Sequence, residues 1–248
     1  MIFYFSATGN SRHAARRLLP DTGGALCPMT ASGAAVSPAP EEAVGLVFPT
    51  YFWGLPTVVE SFLRRLTVPA GVYVYCVATC GVMSGAAGAA AARELRKNGI
   101  SLSARFSVTM PDTWTPIFNL SDREKTAAKN RAAEAQLNAA ARRIRLRQQG
   151  DFMRGKAPLW LTDAFVRPAY ESARRTAHFA VSEACVGCGA CAQDCPAAAI
   201  ELRGGRPVWV KDRCILCLGC LHRCPRFAIS YGKRTSRHGQ YQHPGEMR

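Results

Sequence analysis

Acidic residues are scarce in this chain of 248 residues, where 17 Asp and Glu stand against 32 Lys and Arg for a formal charge of +15. An apolar run of membrane-spanning length is also missing, which excludes a transmembrane helix. The start, Met1-Ile2-Phe3-Tyr4-Phe5 with a turn at Ser6 to Gly9, has neither a basic leader nor a small-residue cleavage site. That lack predicts a cytoplasmic protein. Thiols stay reduced there, so the 11 cysteines point to metal before disulfides. The shortage of acid alone does not argue for nucleic acid, because the basic residues are spread along helices and no recognised nucleic-acid-binding module is present. An acidic redox partner, steered by opposite charge, fits better.

What the chain does have is cysteine at a fixed spacing. Cys185, Cys188 and Cys191 are each separated by two residues, and Cys195-Pro196 follows after three more. Cys214, Cys217, Cys220 and Cys224-Pro225 repeat the pattern, each 29 residues after its counterpart, and Ile200 maps onto Ile229 in the same way. This is an internal repeat of one cluster-binding unit. Three thiolates on a tight loop reach three corners of a [4Fe-4S] cubane, and in a two-cluster arrangement the fourth cysteine of each run serves the other cluster. The expected ligand sets are therefore Cys185, Cys188, Cys191 and Cys224, and Cys214, Cys217, Cys220 and Cys195. Two cubanes at roughly −2 each would leave a charge of about +11. A zinc site is the alternative, but it uses two separated pairs and leaves the third close cysteine and the proline of each run unexplained. Ile200 to Leu202, Gly204-Gly205 and Pro207 to Val210 read as a hairpin between the runs. His222, inside the second run, reads as an exposed loop residue.

The first 120 residues alternate strand-like and helix-like stretches, which predicts a parallel α/β sheet. Strands are expected at Ile2 to Phe5, Ala25 to Cys27, Val44 to Phe48, Val72 to Ala78 and Ser103 to Met110. Helices are expected at about Asn10 to Leu19, Thr57 to Leu66 and Ser84 to Asn98. Ligands of such sheets bind beyond the carboxyl ends of the strands, where the strand order reverses. After the first strand, Ser6-Ala7-Thr8-Gly9-Asn10-Ser11 opens a helix with small hydroxyl residues and a glycine, suited to a phosphate at the positive helix end. It is neither a Walker A loop nor the dinucleotide fingerprint. A capped helix start uses the same residues, and the loop alone does not decide between the two. Two later loops favour a planar ligand. Pro49-Thr50-Tyr51-Phe52-Trp53-Gly54-Leu55-Pro56 presents aromatic rings, although Phe52 and Trp53 also suit packing at the sheet edge. Thr79-Cys80-Gly81-Val82-Met83-Ser84-Gly85 presents small residues and main chain.

Together the three loops resemble the flavodoxin family, and the cysteine repeat resembles bacterial two-cluster ferredoxins over residues 179 to 232. The combination is similar to the flavodoxin–ferredoxin fusion proteins of anaerobic bacteria over nearly the whole chain. The resemblance implies an α/β flavodoxin-like doubly wound parallel sheet followed by a small α+β ferredoxin-like domain, with FMN and two [4Fe-4S] clusters as cofactors. It implies that Ser6, Thr8, Gly9, Asn10 and Ser11 hold the flavin phosphate. Tyr51 or Trp53, beside Gly54, would stack on the ring, and Thr79, Cys80 and Gly81 would line its edge. Typical flavodoxins are acidic and this chain is basic, so its partners need not be theirs. Cys76 reads as a buried apolar residue.

The domain plan expected is a flavodoxin-like unit at 1–150, a helical connector at 151–178, the two-cluster unit at 179–232 and a loose tail at 233–248. Ser121-Asp122-Arg123-Glu124 has the form of a capping box opening a long helix, with Ala132, Ala135, Ala139, Ile144 and Leu146 as its apolar stripe. Trp160, Phe165 and Tyr170 of the connector read as interface anchors; docking on a membrane surface is the lesser alternative. Electron relay between FMN and a partner through the clusters needs no catalytic residue. The alternatives are a flavin-dependent oxidoreductase, to which Tyr51, Cys80 and Asp112 would contribute, and a ferredoxin with an empty docking domain.

Overall fold

In the computed structural model, which describes residues 1–30 and 43–246, the apolar runs of the N-terminal half become parallel strands of one sheet. They are β1 (Ile2–Tyr4), β2 (Leu26–Pro28), β3 (Val44–Pro49), β4 (Val74–Cys80), β5 (Ala104–Thr109) and β6 (Gly150–Phe152). Their order across the sheet is β2-β1-β3-β4-β5-β6. The order reverses between β1 and β3, so the loops after these two strands flank the crevice where such sheets bind ligands. α1 (Asn10–Thr22) and α4 (Arg123–Arg145) cover one face; α2 (Thr57–Leu63) and α3 (Ala87–Arg96) cover the other.

Burial on both faces explains the continuous apolar character of the central strands. Leu46, Phe48 and Cys76 point to the α2 and α3 side, and Val47, Tyr75 and Val77 to the α1 and α4 side. Tyr75 is fully buried; its hydroxyl shares a 2.6 Å hydrogen bond with the Thr22 hydroxyl. A Cβ at Gly45 would lie 2.5 Å from that Tyr75 oxygen, which requires glycine there.

The sixth strand lies inside the expected connector, so the sheet extends past residue 150. Gly150, Asp151 and Phe152 form no apolar run, and β6 is held by pairing them with Ala104, Arg105 and Phe106 of β5. The long helix forms, but with a different cap and face. Asp122 is its N-cap and accepts from the Lys125 amide at 2.9 Å, whereas the Ser121 hydroxyl turns to Asn119. Its buried face is Ala133, Leu137, Ala140, Ala141 and Ile144. Of the expected stripe only Ile144 belongs to it, and Leu146 is exposed. Packing against the sheet and α1 fixes the rotation that alanines spread around the helix left open.

Beyond β6 the chain forms α5 (Leu159–Leu161), a π-helical turn at Thr162–Val166 and α6 (Arg167–Ala173). Of the three expected anchors only Tyr170 is buried; Trp160 and Phe165 face solvent. Next come β7 (Phe179–Val181), α7 (Ala190–Gln193), β8 (Ile200–Arg203), β9 (Arg206–Trp209), α8 (Gly219–His222) and β10 (Ile229–Tyr231). β7 pairs with β10, and β8 with β9 as the expected hairpin. The short helices α7 and α8 occupy equivalent places in the two repeats. Leu216, Leu218 and Leu221 of this unit pack on Tyr170, Tyr51, Phe52 and Trp114, forming the seam between the two halves.

Two expectations near the end of the chain differ from what is found. His222 is buried: its Nε2 donates to the Thr113 carbonyl at 2.9 Å and its Nδ1 accepts from the Tyr241 amide at 3.2 Å. Residues 233–246 are a packed strap, with α9 (Thr235–His238) followed by a return across the N-terminal domain. Residues 247 and 248 of the expected tail lie outside the described residues. Among the described residues no helix is long and apolar enough to cross a membrane.

Candidate functional site

The three loops after β1, β3 and β4 line one cavity of about 390 Å³, within the usual range of small-molecule sites. Ser6, Thr8, Asn10 and Ser11 contribute from the first loop, Tyr51 and Trp53 from the second, and Thr79, Cys80 and Gly81 from the third. Gly9 and Gly54 lie beside the cavity and shape its loops. Gly9, at φ +98°, is the N-cap of α1; among the described residues no side chain caps this helix end, which leaves its amides open to a ligand. Gly54 closes a tight turn with Tyr51 through paired backbone hydrogen bonds of 3.0 and 2.9 Å.

Hydrogen bonds hold the loops to one another. The Ser11 and Thr79 hydroxyls meet at 2.8 Å. Asn10 donates from Nδ2 to the Pro111 carbonyl at 3.1 Å and accepts from the Tyr241 hydroxyl at 2.8 Å. Its side chain therefore braces the loop rather than pointing free into the site. In the Tyr51 turn, Phe52 and Trp53 adopt left-handed φ angles of 48° and 57°, a conformation costing about 1–2 kcal/mol per non-glycine residue. Both aromatics line the cavity, and Phe52 also packs on Trp114 and Tyr170 at centroid distances of 5.3 and 5.5 Å. A side chain at Gly85 would strike Trp53.

Charge in this cavity is restrained by burial. Burial pushes the Tyr51 phenol well above its ordinary range, and the neighbouring Cys217, Tyr170 and Cys214 add to that shift. Cys80 is pushed up to about 11 by burial, which leaves a protonated thiol at neutral pH. Asp112 also lines the cavity; burial raises its carboxyl, against the Trp114 amide that donates to it at 2.9 Å and the nearby Lys129.

The cysteines fall into two sets. Cys185, Cys188, Cys191 and Cys224 surround one small cavity, and Cys195, Cys214, Cys217 and Cys220 surround another. In each set the fourth cysteine of one run sits with the first three of the other. Burial raises Cys214, carries Cys217 up to about 12 and puts Cys220 well above the thiol range, with neighbouring cysteines adding to all three. Four crowded thiols of this kind suit a cationic cluster core, which replaces their protons. All 11 cysteines are free of disulfides.

Cys217 and its neighbours Leu216 and Leu218 also line the cavity between the three loops, so the pocket of Cys195, Cys214, Cys217 and Cys220 and that cavity share a wall. Sequence reasoning did not reach this wall, although one signal for it was present. The first repeat has Gly187 and Gly189 where the second has Leu216 and Leu218. Nor did it reach the strap, whose His243 amide donates to the Thr8 carbonyl at 2.8 Å while Glu246 pairs with Arg12 and Arg16 of α1. A Cβ at Gly9 would stand 2.9 Å from both His243 and Glu246.

The residues fit the groups that the sequence suggests. The end of α1 and the buried Thr50 hydroxyl, which lines the cavity and has no hydrogen-bond partner among the described residues, are polar groups that a ligand would satisfy. Residues 1–138 match the flavodoxin domain, and residues 172–229 match the 4Fe-4S dicluster domain. No curated protein matches the chain. Among solved structures, the chain is similar to the rubredoxin oxygen:oxidoreductase of the anaerobe Desulfovibrio gigas, at 18% identity and a TM-score of 0.35. The match covers 59% of this chain and 36% of that one.

Proposed function

Because the chain belongs to the flavodoxin domain family and carries a 4Fe-4S dicluster domain behind it, we propose that it relays electrons between FMN and an external redox partner through its two clusters. That it is an electron-transfer flavo-iron-sulfur protein follows from the two domains; the route and the partner are our reading. When bound, FMN exchanges electrons in pairs or singly, whereas each cluster carries one at a time.

The protein's own residues supply placement. The end of α1, with Ser6, Thr8 and Ser11, would hold the phosphate, and Tyr51 and Trp53 would flank the ring, with Thr79 to Gly81 at its edge. Cys195, Cys214, Cys217 and Cys220 would hold the cluster next to the ring. Cys185, Cys188, Cys191 and Cys224 would hold the outer one. The observation that carries the reading is Cys217, which lines the cavity and the inner cluster pocket at once. The outer set is more open: Cys188 and Val186 are exposed, so a partner would exchange electrons there. Exposed Arg203 and Arg226 near that end suit an acidic partner. A reducing compartment such as the cytoplasm agrees with the free thiols.

Asp112 favours a second reading. A carboxyl raised by burial in the cavity is placed to hold a proton for a small substrate reduced there, which would make the protein an oxidoreductase fed by the clusters.

Anaerobic reconstitution tests the main reading. About eight irons and one acid-extractable FMN per chain are expected; zinc in place of iron, or no flavin, would contradict it. Cys224→Ser should damage the cluster held by Cys185, Cys188 and Cys191. Spin-resonance loss of the other cluster alone would refute the ligand sets.

A further inference from the structure

Arg223 stands just before Cys224, and its counterpart 29 residues earlier, just before Cys195, is Asp194. The two equivalent positions carry opposite charges and pair with each other across the repeat, Nη1 to Oδ2 at 3.0 Å. The rest of the guanidinium leaves the two-cluster unit. Nε and Nη2 both donate to the Ala7 carbonyl, at 3.0 and 2.6 Å. Ala7 lies in the middle of the loop that precedes α1. A Cβ at Gly219 would sit 3.7 Å from the Arg223 nitrogen, 3.6 Å from Cys217 Sγ and 3.9 Å from Ala7 Cβ, so all three meet at one point. This fork is a hydrogen-bonded link between the phosphate loop and the second cysteine run.

We propose that Arg223 is a positioning residue that locks the phosphate loop to the inner cluster pocket, and that its charge tunes the potential of that cluster. The inference rests on the flavin and cluster occupancy proposed above. Two separable properties of the side chain are involved. The planar fork makes two bonds that converge on one carbonyl oxygen, a geometry a lysine does not reproduce. The positive charge acts on the inner pocket from close by, favouring the reduced and more negative cluster.

The test compares wild type, Arg223→Lys and Arg223→Gln as full-length, anaerobically reconstituted protein. FMN binding is read by flavin fluorescence, and cluster potentials by a spin-resonance redox titration. Both variants should bind FMN at least tenfold more weakly. Only Arg223→Gln should move the inner cluster to a more negative midpoint, and Arg223→Lys should keep it near the wild-type value. Wild-type behaviour of Arg223→Gln in both readouts would overturn the inference, as would equal potential shifts in the two variants. If Arg223→Gln fails to load iron, Arg223→Lys decides: weakened FMN binding with an unmoved potential supports the proposal, and any other pair of results overturns it. A wild-type protein without FMN or iron would instead refute the underlying function, which keeps the two failures apart.

Discussion

At Leu216 and Leu218 the backbone takes φ angles of 62° and 54°, and at the equivalent Gly187 and Gly189 it takes 67° and 79°. The loop demands the left-handed conformation in both repeats, and in the second it is met by a residue that pays a steric cost of about 1–2 kcal/mol. The compensation is the seam, where both leucines are buried against Tyr170 and line the cavity wall. Truncation to alanine removes the packing and keeps the strain, at about 2–5 kcal/mol. Glycine removes both. Leu218→Gly should therefore melt above Leu218→Ala, the reverse of the usual order, and a lower melting temperature for the glycine variant would contradict the strain argument. Burial governs the cysteines outside the repeat as well. Cys76 is pushed up to about 12 and Cys80 to about 11 by burial. At pH 8 both lie well below those values and stay protonated, so iodoacetamide should label the folded holoprotein at half-buried Cys27 and spare the other two. Mass-spectrometric labelling of Cys76 or Cys80 at a rate equal to Cys27 would contradict this. The cluster cysteines were legible because spacing alone carries their chemistry. Arg223 was not, because its meaning arises only when a residue more than 200 positions away folds against it.

The elements differ in how much of them the sequence exposes. The expected strands and helices of the N-terminal half form, with ends shifted by a few residues, since alternating apolar runs and loop residues report directly on them. β6, a Gly-Asp-Phe stretch with its first two residues exposed, carries no apolar run. The strap is polar and rich in Gly, His and Arg, which reads as solvated chain; what fixes it is a set of backbone and side-chain bonds to parts remote in sequence. Gln240 donates to the Leu221 and Cys224 carbonyls, Tyr241 to Asn10 and Asn130, and the His243 amide to Thr8. His243 stacks on His13 at 3.9 Å, and its burial lowers its pKa to about 4, with His13 adding to the effect. It packs as a neutral ring at physiological pH. Deleting residues 241–248 leaves Gln240 in place and removes the contacts to the phosphate loop. Iron content should stay near wild type while FMN affinity falls by roughly tenfold or more, the scale set by losing one or two net hydrogen bonds. Unchanged affinity in a fluorescence titration would show that the strap does not brace the site.

At the scale of the whole molecule, the two domains are legible separately and their joint is not. The cysteine repeat and the three strand-end loops each announce a cofactor, but only Leu216 and Leu218, standing where the first repeat has Gly187 and Gly189, hint that they face one another. The seam does so, through Tyr170 donating to the Ile215 carbonyl at 2.8 Å, Arg174 donating to the Cys214 carbonyl at 2.7 Å, and Cys217 in the wall of the cavity. The relay proposed above would pass electrons within one chain. The direct measurement is rapid anaerobic reduction of the reconstituted protein, following flavin and cluster absorbance together over a range of protein concentrations. The account predicts that flavin and cluster exchange electrons in a phase whose rate does not depend on protein concentration. A rate that rises in proportion to concentration, or clusters that reduce and reoxidise while the flavin stays unchanged, would contradict it.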